Sequence, residues 1–163
     1  MRLTADQVFL AAAVGVKRQY YAMERNLRDK KSVNAREGWT LHIEGAAGEL
    51  AACLAMGIEW PATVNAGKAP DAWEHLEIRR RIEQWYDLAI RDGDRPERLY
   101  VLVAGQIPLF RVVGWIKGRN GMIPQYRKDP NGRGEAWFVP QADLLDIQPL
   151  ADFIKHNRTG RIL

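Results

Sequence analysis

Cysteine occurs once in this 163-residue chain, at Cys53, so neither an intrachain disulfide nor a cysteine-built zinc cage is possible. Cys53 sits among alanines at helical spacing and is expected to be a small core residue. Histidine is scarce too, and His42, His75 and His156 show no ligand spacing. No apolar run approaches the roughly 20 residues that a membrane span needs. The opening residues, Met1-Arg2-Leu3-Thr4-Ala5-Asp6, lack a signal-peptide pattern, so a soluble cytoplasmic protein is the expectation. Internal repeats and low-complexity tracts are absent. There is no strong excess of one charge: the net charge of +4 permits an anionic partner only where basic residues cluster. They cluster at Arg79-Arg80-Arg81, between Lys117 and Arg133, and in the first segment at Lys17, Arg18, Arg25, Arg28, Lys30 and Lys31.

The length suits one domain with a real core. A long helix over residues 1–31 is predicted to start at a capping box made by Thr4 and Gln7. Its apolar stripe reads Val8, Ala11, Ala12, Val16, Gln19, Tyr20, Met23 and Leu27, with a solvated basic face opposite. After a polar loop, a second helix runs from Trp39 to Met56 and stops at Gly57. Strands are expected at Leu76–Ile82, Tyr86–Arg91, Leu99–Ala104, Phe110–Ile116 and Ala136–Pro140, with a short one at Thr63-Val64-Asn65. Short turns near Asp92 and Gly105 suggest an antiparallel meander. Lys117–Gly134 reads as a surface loop, either a connector or a basic flap over a substrate. Gln141–Leu145 reads as a helical turn, and a last helical segment follows Pro149. The expected fold is therefore α/β (α+β), with a core at 39–140 and a C-terminal extension at 141–163.

Two stretches carry candidate chemistry. On the second helix, the neighbours of Glu49 three and four positions away are Gly45, Ala46, Ala52 and Cys53, all small. Such a face lets other backbone approach a carboxylate. Glu44 lies well round the helix and belongs elsewhere. Downstream, Lys68-Ala69-Pro70-Asp71 leads into Glu77-Ile78-Arg79. In a strand Glu77 and Arg79 share a face and Ile78 takes the other. The face of Glu77, Arg79, Arg81 and Glu83 is wholly charged, as a cleft wall would be. Without further support, these acids and the strand pair would read as surface charges worth about 0–1 kcal/mol. Tryptophans 60, 85, 115 and 137 read as core, whereas Trp73, between Asp71 and Glu77, is placed to flank a substrate.

Pro70-Asp71, Glu77-Ile78-Arg79 and the upstream helical Glu49 together resemble the PD-(D/E)XK nuclease-like superfamily. The runs His42–Ala51, Lys68–Asp71 and Phe110–Ile116 resemble more closely a small bacteriophage protein family placed within it. The resemblance implies a mixed central sheet flanked by helices, and Mg²⁺- or Mn²⁺-dependent cleavage of DNA phosphodiesters in a host cytoplasm. It implies Asp71, Glu77 and Glu49 as metal ligands with the Ile78 carbonyl, and Arg79 as the fourth catalytic residue. Mg²⁺ favours such an oxygen set. Lys68, Arg80, Arg81, Lys117 and Arg119 are the residues expected to meet DNA. One departure matters: the superfamily's lysine is Arg79 here. Arginine stays protonated and cannot serve as a general base, although its fork can hold a phosphate oxygen. Lys68 is the other amine near the motif. This departure keeps open a second reading, a nuclease-fold protein with weak or no catalysis that binds DNA or a host defence or replication protein. A third is an assembly protein. The sequence leaves the oligomeric state open.

Overall fold

The computed structural model describes residues 1–25, 35–64, 71–73, 75–130, 132 and 134–157. Helix α1 (Ala5–Glu24) begins at the expected capping box. The Thr4 hydroxyl accepts from the Gln7 amide at 3.3 Å, and the Gln7 side chain accepts from the Thr4 amide at 2.8 Å. Helix α2 (Ala35–Met56) starts before the expected Trp39 and ends at Gly57, whose φ of +64° suits glycine. The two helices pack almost backbone to backbone. A Cβ on Gly15 would lie 2.4 Å from the Ile43 Cα.

That close crossing changes which side of α1 is inside. The buried residues are Ala11, Val14, Gly15 and Gln19. Val16, Tyr20 and Met23, expected on the buried stripe, are exposed. Ala11 and Gly15 are small enough to admit α2, and the larger residues of the expected stripe are not.

Among the described residues six strands follow: β1 (Leu76–Arg81), β2 (Leu88–Arg91), β3 (Leu99–Gln106), β4 (Leu109–Lys117), β5 (Arg127–Lys128) and β6 (Ala136–Val139). They do not form the expected meander. Among the described residues they make two three-stranded sheets, β1-β3-β4 and β2-β6-β5. β1 runs parallel to β3, from Leu76 beside Leu99 to Arg81 beside Ala104. β3 and β4 form the predicted hairpin, with a register shift at Leu102/Val103. β2 leaves to pair antiparallel with β6. The expected strand at residues 63–65 is not seen at Thr63 or Val64, and Asn65 lies outside the described residues. The expected surface loop after β4 contains a short helix α3 (Gly118–Gly121), a 3₁₀ turn (Pro124–Tyr126) and β5. Helix α4 (Ile147–His156) starts before Pro149, capped by Asp146 onto the Gln148 amide. Pro149 falls in its first turn, where a missing N–H costs nothing.

The architecture is thus mixed α and β, with core on both faces of the first sheet. Leu76, Ile78, Val101 and Val103 meet Ala46, Ala47 and Leu50 of α2 and Leu150 of α4. Tyr100 and Leu102, on the opposite face, meet Leu88, Ile90 and Val139 of the second sheet. Free Cys53 is fully buried, as expected. Burial, then the nearby charges of Glu49 and Asp71, push its thiol up to about 12, which removes it as a nucleophile at neutral pH.

Two glycines of the helices should respond oppositely. Gly15→Ala forces α1 and α2 apart and should cost about 1–3 kcal/mol. Gly45→Ala meets nothing within 4 Å and should stabilise by roughly 0.5–1 kcal/mol through helix propensity. Urea midpoints at unchanged slope read both.

Candidate functional site

Helix α2 is buried along most of its length, and this places Glu49 inside. Ala46, Ala52 and Cys53 beside it are buried, and Glu49 itself is only 8% exposed. A carboxylate so enclosed needs a partner. Arg18 supplies it from α1 through two parallel bonds, Nη1 to Oε1 at 2.6 Å and Nη2 to Oε2 at 2.7 Å. The Arg18 Nε donates to the Thr63 carbonyl at 2.9 Å, and the Trp60 indole reaches Glu49 Oε2 at 3.4 Å. Burial pulls the Arg18 pKa down, but the bond and charge of Glu49 carry it above its ordinary value. Sequence reasoning missed Arg18, which it assigned to a solvated basic face. The available signal was spacing: Arg18 is four residues after Val14 and three after Gly15, on the buried side.

β1 is an edge strand of its sheet, and Asp71 lies along its open side. The Asp71 amide donates to the Leu76 carbonyl at 2.9 Å, and its Oδ2 accepts from the Ile78 amide at 2.7 Å. The residue therefore covers a strand edge that would otherwise be unpaired. By the alternation of the strand, the Ile78 carbonyl leaves on that same edge. Among the described residues, Asp71 Oδ1 accepts no hydrogen bond. Burial first, and then the charge of Glu49, push the Asp71 carboxyl up to about 6. The Ile78 amide, Arg79 and Arg18 oppose that rise without cancelling it.

Glu77 points to the other face of the sheet, away from α2. It is 7% exposed and ion-paired with Arg98, and Arg79 Nη2 lies 3.3 Å from its Oε2. Arg79 also pairs with Asp94 at 2.9 Å and lies over the Tyr100 ring. Its Nε is buried with no acceptor among the described residues. The charged face of β1, expected to line a cleft, instead packs through ion pairs and a cation–π contact. Asp71, at the edge, stands between the two faces and feels charges from both.

The basic residues expected to meet DNA are dispersed. Arg80 is on the α2 side, paired with Glu44 at 3.1 Å and bonded to the Gly105 carbonyl at 3.0 Å. Glu44 is thus in a separate pair, as its place on the helix predicts. The Arg80 stem backs onto Gly48, where a Cβ would come within 3.1 Å, so close packing does offset this helical glycine. Arg81 stacks over Tyr86, 4.8 Å from the ring centroid. Lys117 ends β4, and Arg119 is exposed on α3. Lys68 and Pro70 lie outside the described residues. Trp73 meets Phe153 edge-on and borders a cavity of about 400 Å³ with Gly57, Ile58, Pro61 and Lys155.

No protein-family model, curated protein or solved structure matches this chain.

Among the described residues no three side chains of the His, Cys, Asp and Glu types are grouped to hold a metal ion. At the β1 edge, among the described residues, Asp71 Oδ1 accepts no hydrogen bond, Glu49 is a neighbouring carboxylate held at both oxygens by Arg18, and the Ile78 carbonyl shares the edge; oxygen donors of this kind are those a hard cation takes. Glu77 does not belong to that set, because it faces the opposite side and is held by Arg98.

Two measurements check these assignments. Arg18→Met strands a buried carboxylate and should cost about 3–5 kcal/mol, with Glu49→Gln in the same background recovering part of it. For Asp71, the folded carboxyl titrates near 6 against an ordinary 3.8. Its stabilising contribution is complete below that lower value and is lost as pH rises through about 6. Denaturation at pH 4 to 7 should show a loss approaching about 3 kcal/mol from this group, absent in Asp71→Asn.

Proposed function

We propose that the protein is a metal-dependent phosphodiesterase acting on DNA, with Asp71 at the centre of its site and a nuclease-like arrangement of α2, the Asp71 segment and β1. The observation that carries this reading is the Asp71 carboxyl, half-buried at the β1 edge beside Glu49 and pushed up to about 6. A half-buried acid with a raised pKa weakens the fold at neutral pH, and such groups concentrate at functional sites. Glu49, Asp71 and the Ile78 carbonyl would hold Mg²⁺ or Mn²⁺. Once bound, the ion supplies Lewis acidity toward a phosphate oxygen and a lowered pKa for water.

The chain's own groups then have distinct tasks. Arg18 holds the Glu49 carboxylate in one orientation through its fork. The Ile78 amide does the same for Asp71. Arg79 keeps its proton and takes no part as a base. Its fork is already answered by Glu77 and Asp94, so its part at the edge is the electrostatic field that Asp71 feels. Glu77, with Arg98, fixes Arg79 in place. A phage origin and a cytoplasmic setting follow the sequence resemblance and belong to the same proposal. No described helix is long and apolar enough to cross a membrane.

A second reading is favoured by a specific observation: Arg18 engages both Glu49 oxygens, and Glu77 is paired with Arg98. With its acids so neutralised, the protein would bind DNA or a host protein without cutting. One assay separates the two. Purified protein is incubated with single- and double-stranded DNA in Mg²⁺ or Mn²⁺, beside Asp71→Ala. Cleavage that falls at least about 100-fold in the variant supports the phosphodiesterase. Cleavage unchanged in the variant sinks it. No cleavage in either metal, with DNA retention that weakens as salt rises or a host protein recovered by pull-down, establishes the second reading.

A further inference from the structure

Helix α1 presents to solvent a seam that the fold leaves unused. Phe9, Ala13, Val16, Tyr20 and Met23 follow one another at intervals of four, three, four and three residues. That is the spacing of a coiled-coil stripe, in which every second step falls on the same heptad position. All five are exposed: Phe9 at 77%, Tyr20 at 57%, Met23 at 52% and Val16 at 43%, with Ala13 between them. The seam lies opposite the face of α1 that carries Ala11, Val14, Gly15 and Arg18 toward α2. Nothing in the Glu49–Asp71 site uses it.

We propose that this seam is the interface of a homodimer, formed by α1 of one copy packing against α1 of a second. A heptad seam needs a partner helix with the same repeat, and a second copy of α1 provides one by construction. The area agrees. Taking about 200 Å² for an aromatic side chain, Phe9 and Tyr20 alone leave roughly 270 Å² open per copy. With Val16, Met23 and Leu10, also exposed at 51%, the total is roughly 450–500 Å² per copy, or near 1,000 Å² for a pair. That is at the upper end of what a monomer leaves bare and at the threshold of a specific interface. Val16 stands at the middle of the seam, so a copy paired about it covers the seam from Phe9 to Met23. The two Arg18–Glu49 pairs then sit on the outer faces of the dimer, with their sites free.

Light scattering across a dilution series tests this. The full chain should run at twice 18.6 kDa and fall toward 18.6 kDa as it is diluted. Tyr20→Glu should be monomeric throughout, with its far-ultraviolet circular dichroism unchanged. Val16→Cys, at the middle of the seam, gives an independent readout, because Cys53 is buried: a short bis-maleimide should join two chains in high yield. A wild-type chain monomeric at every concentration overturns the proposal. So does a dimer that survives both Phe9→Glu and Tyr20→Glu, or a Val16→Cys chain that fails to cross-link where the wild type is dimeric.

Discussion

The bidentate pair between Arg18 and Glu49 is the interaction on which the interior of the helical layer depends. Glu49 is enclosed by α2's own small residues and by α1, and a carboxylate in that position is tolerable only with its charge answered. The pair itself contributes little net stability, since two desolvated charges cost nearly what their attraction returns. Its effect lies in specificity. Arg18 reaches Glu49 because Gly15, three residues before it, lets the two helix backbones nearly touch at Ile43. The Thr63 carbonyl and the Trp60 indole close the remaining sides. Helix crossing, helix rotation and the chain leaving α2 are thereby fixed by one guanidinium.

The same pair makes Asp71 unusual. Glu49 is neutralised through its own partner, so Arg18, one of the cations whose charge Asp71 feels, is already engaged. Asp71 keeps a hydrogen bond from Ile78 and distant help from Arg18 and Arg79, yet its carboxyl still rises to about 6. The three acids of the motif thus differ. Glu49 and Glu77 each hold a guanidinium, and among the described residues Asp71 at the strand edge does not. A group left in that state at neutral pH costs the fold free energy, and its geometry is what an incoming cation would relieve.

How much of this was legible in the sequence depends on the range of the interaction. Local signals were readable: the Thr4–Gln7 capping box, the stop at Gly57, the apolar run that became β3 and the burial of Cys53 each follow from residues within a turn or a strand of one another. That other backbone can approach Glu49 was legible from its small neighbours. Its partner was not, because an arginine on a helix reads as solvated until the far segment that it meets is known. The sheet failed for the same reason. Nothing local makes β2 leave β1 for β6; that pairing follows from Leu88 and Ile90 sharing a core with Val139 and Tyr100 across the chain. The charged face of β1 misled in the opposite sense. Alternation correctly put Glu77 and Arg79 together, but only Arg98 and Asp94, brought in by the turns before β3, show that the face is packed rather than open.

Arginine at position 79 then decides where proton chemistry can reside. A lysine there, buried against an aromatic ring, could lose its proton near neutrality; a guanidinium cannot. Within the motif the group whose charge changes near neutral pH is Asp71. A cation at the strand edge would remove that possibility as well, because favouring the carboxylate drives its pKa back down. The metal-bound form would therefore have no side chain of the motif that exchanges a proton with the substrate. Proton transfer would fall to solvent, and the side chains would act through position and charge alone. In the proposed mechanism Asp71 and Glu49 would hold the ion, and no member of the set would serve as the base.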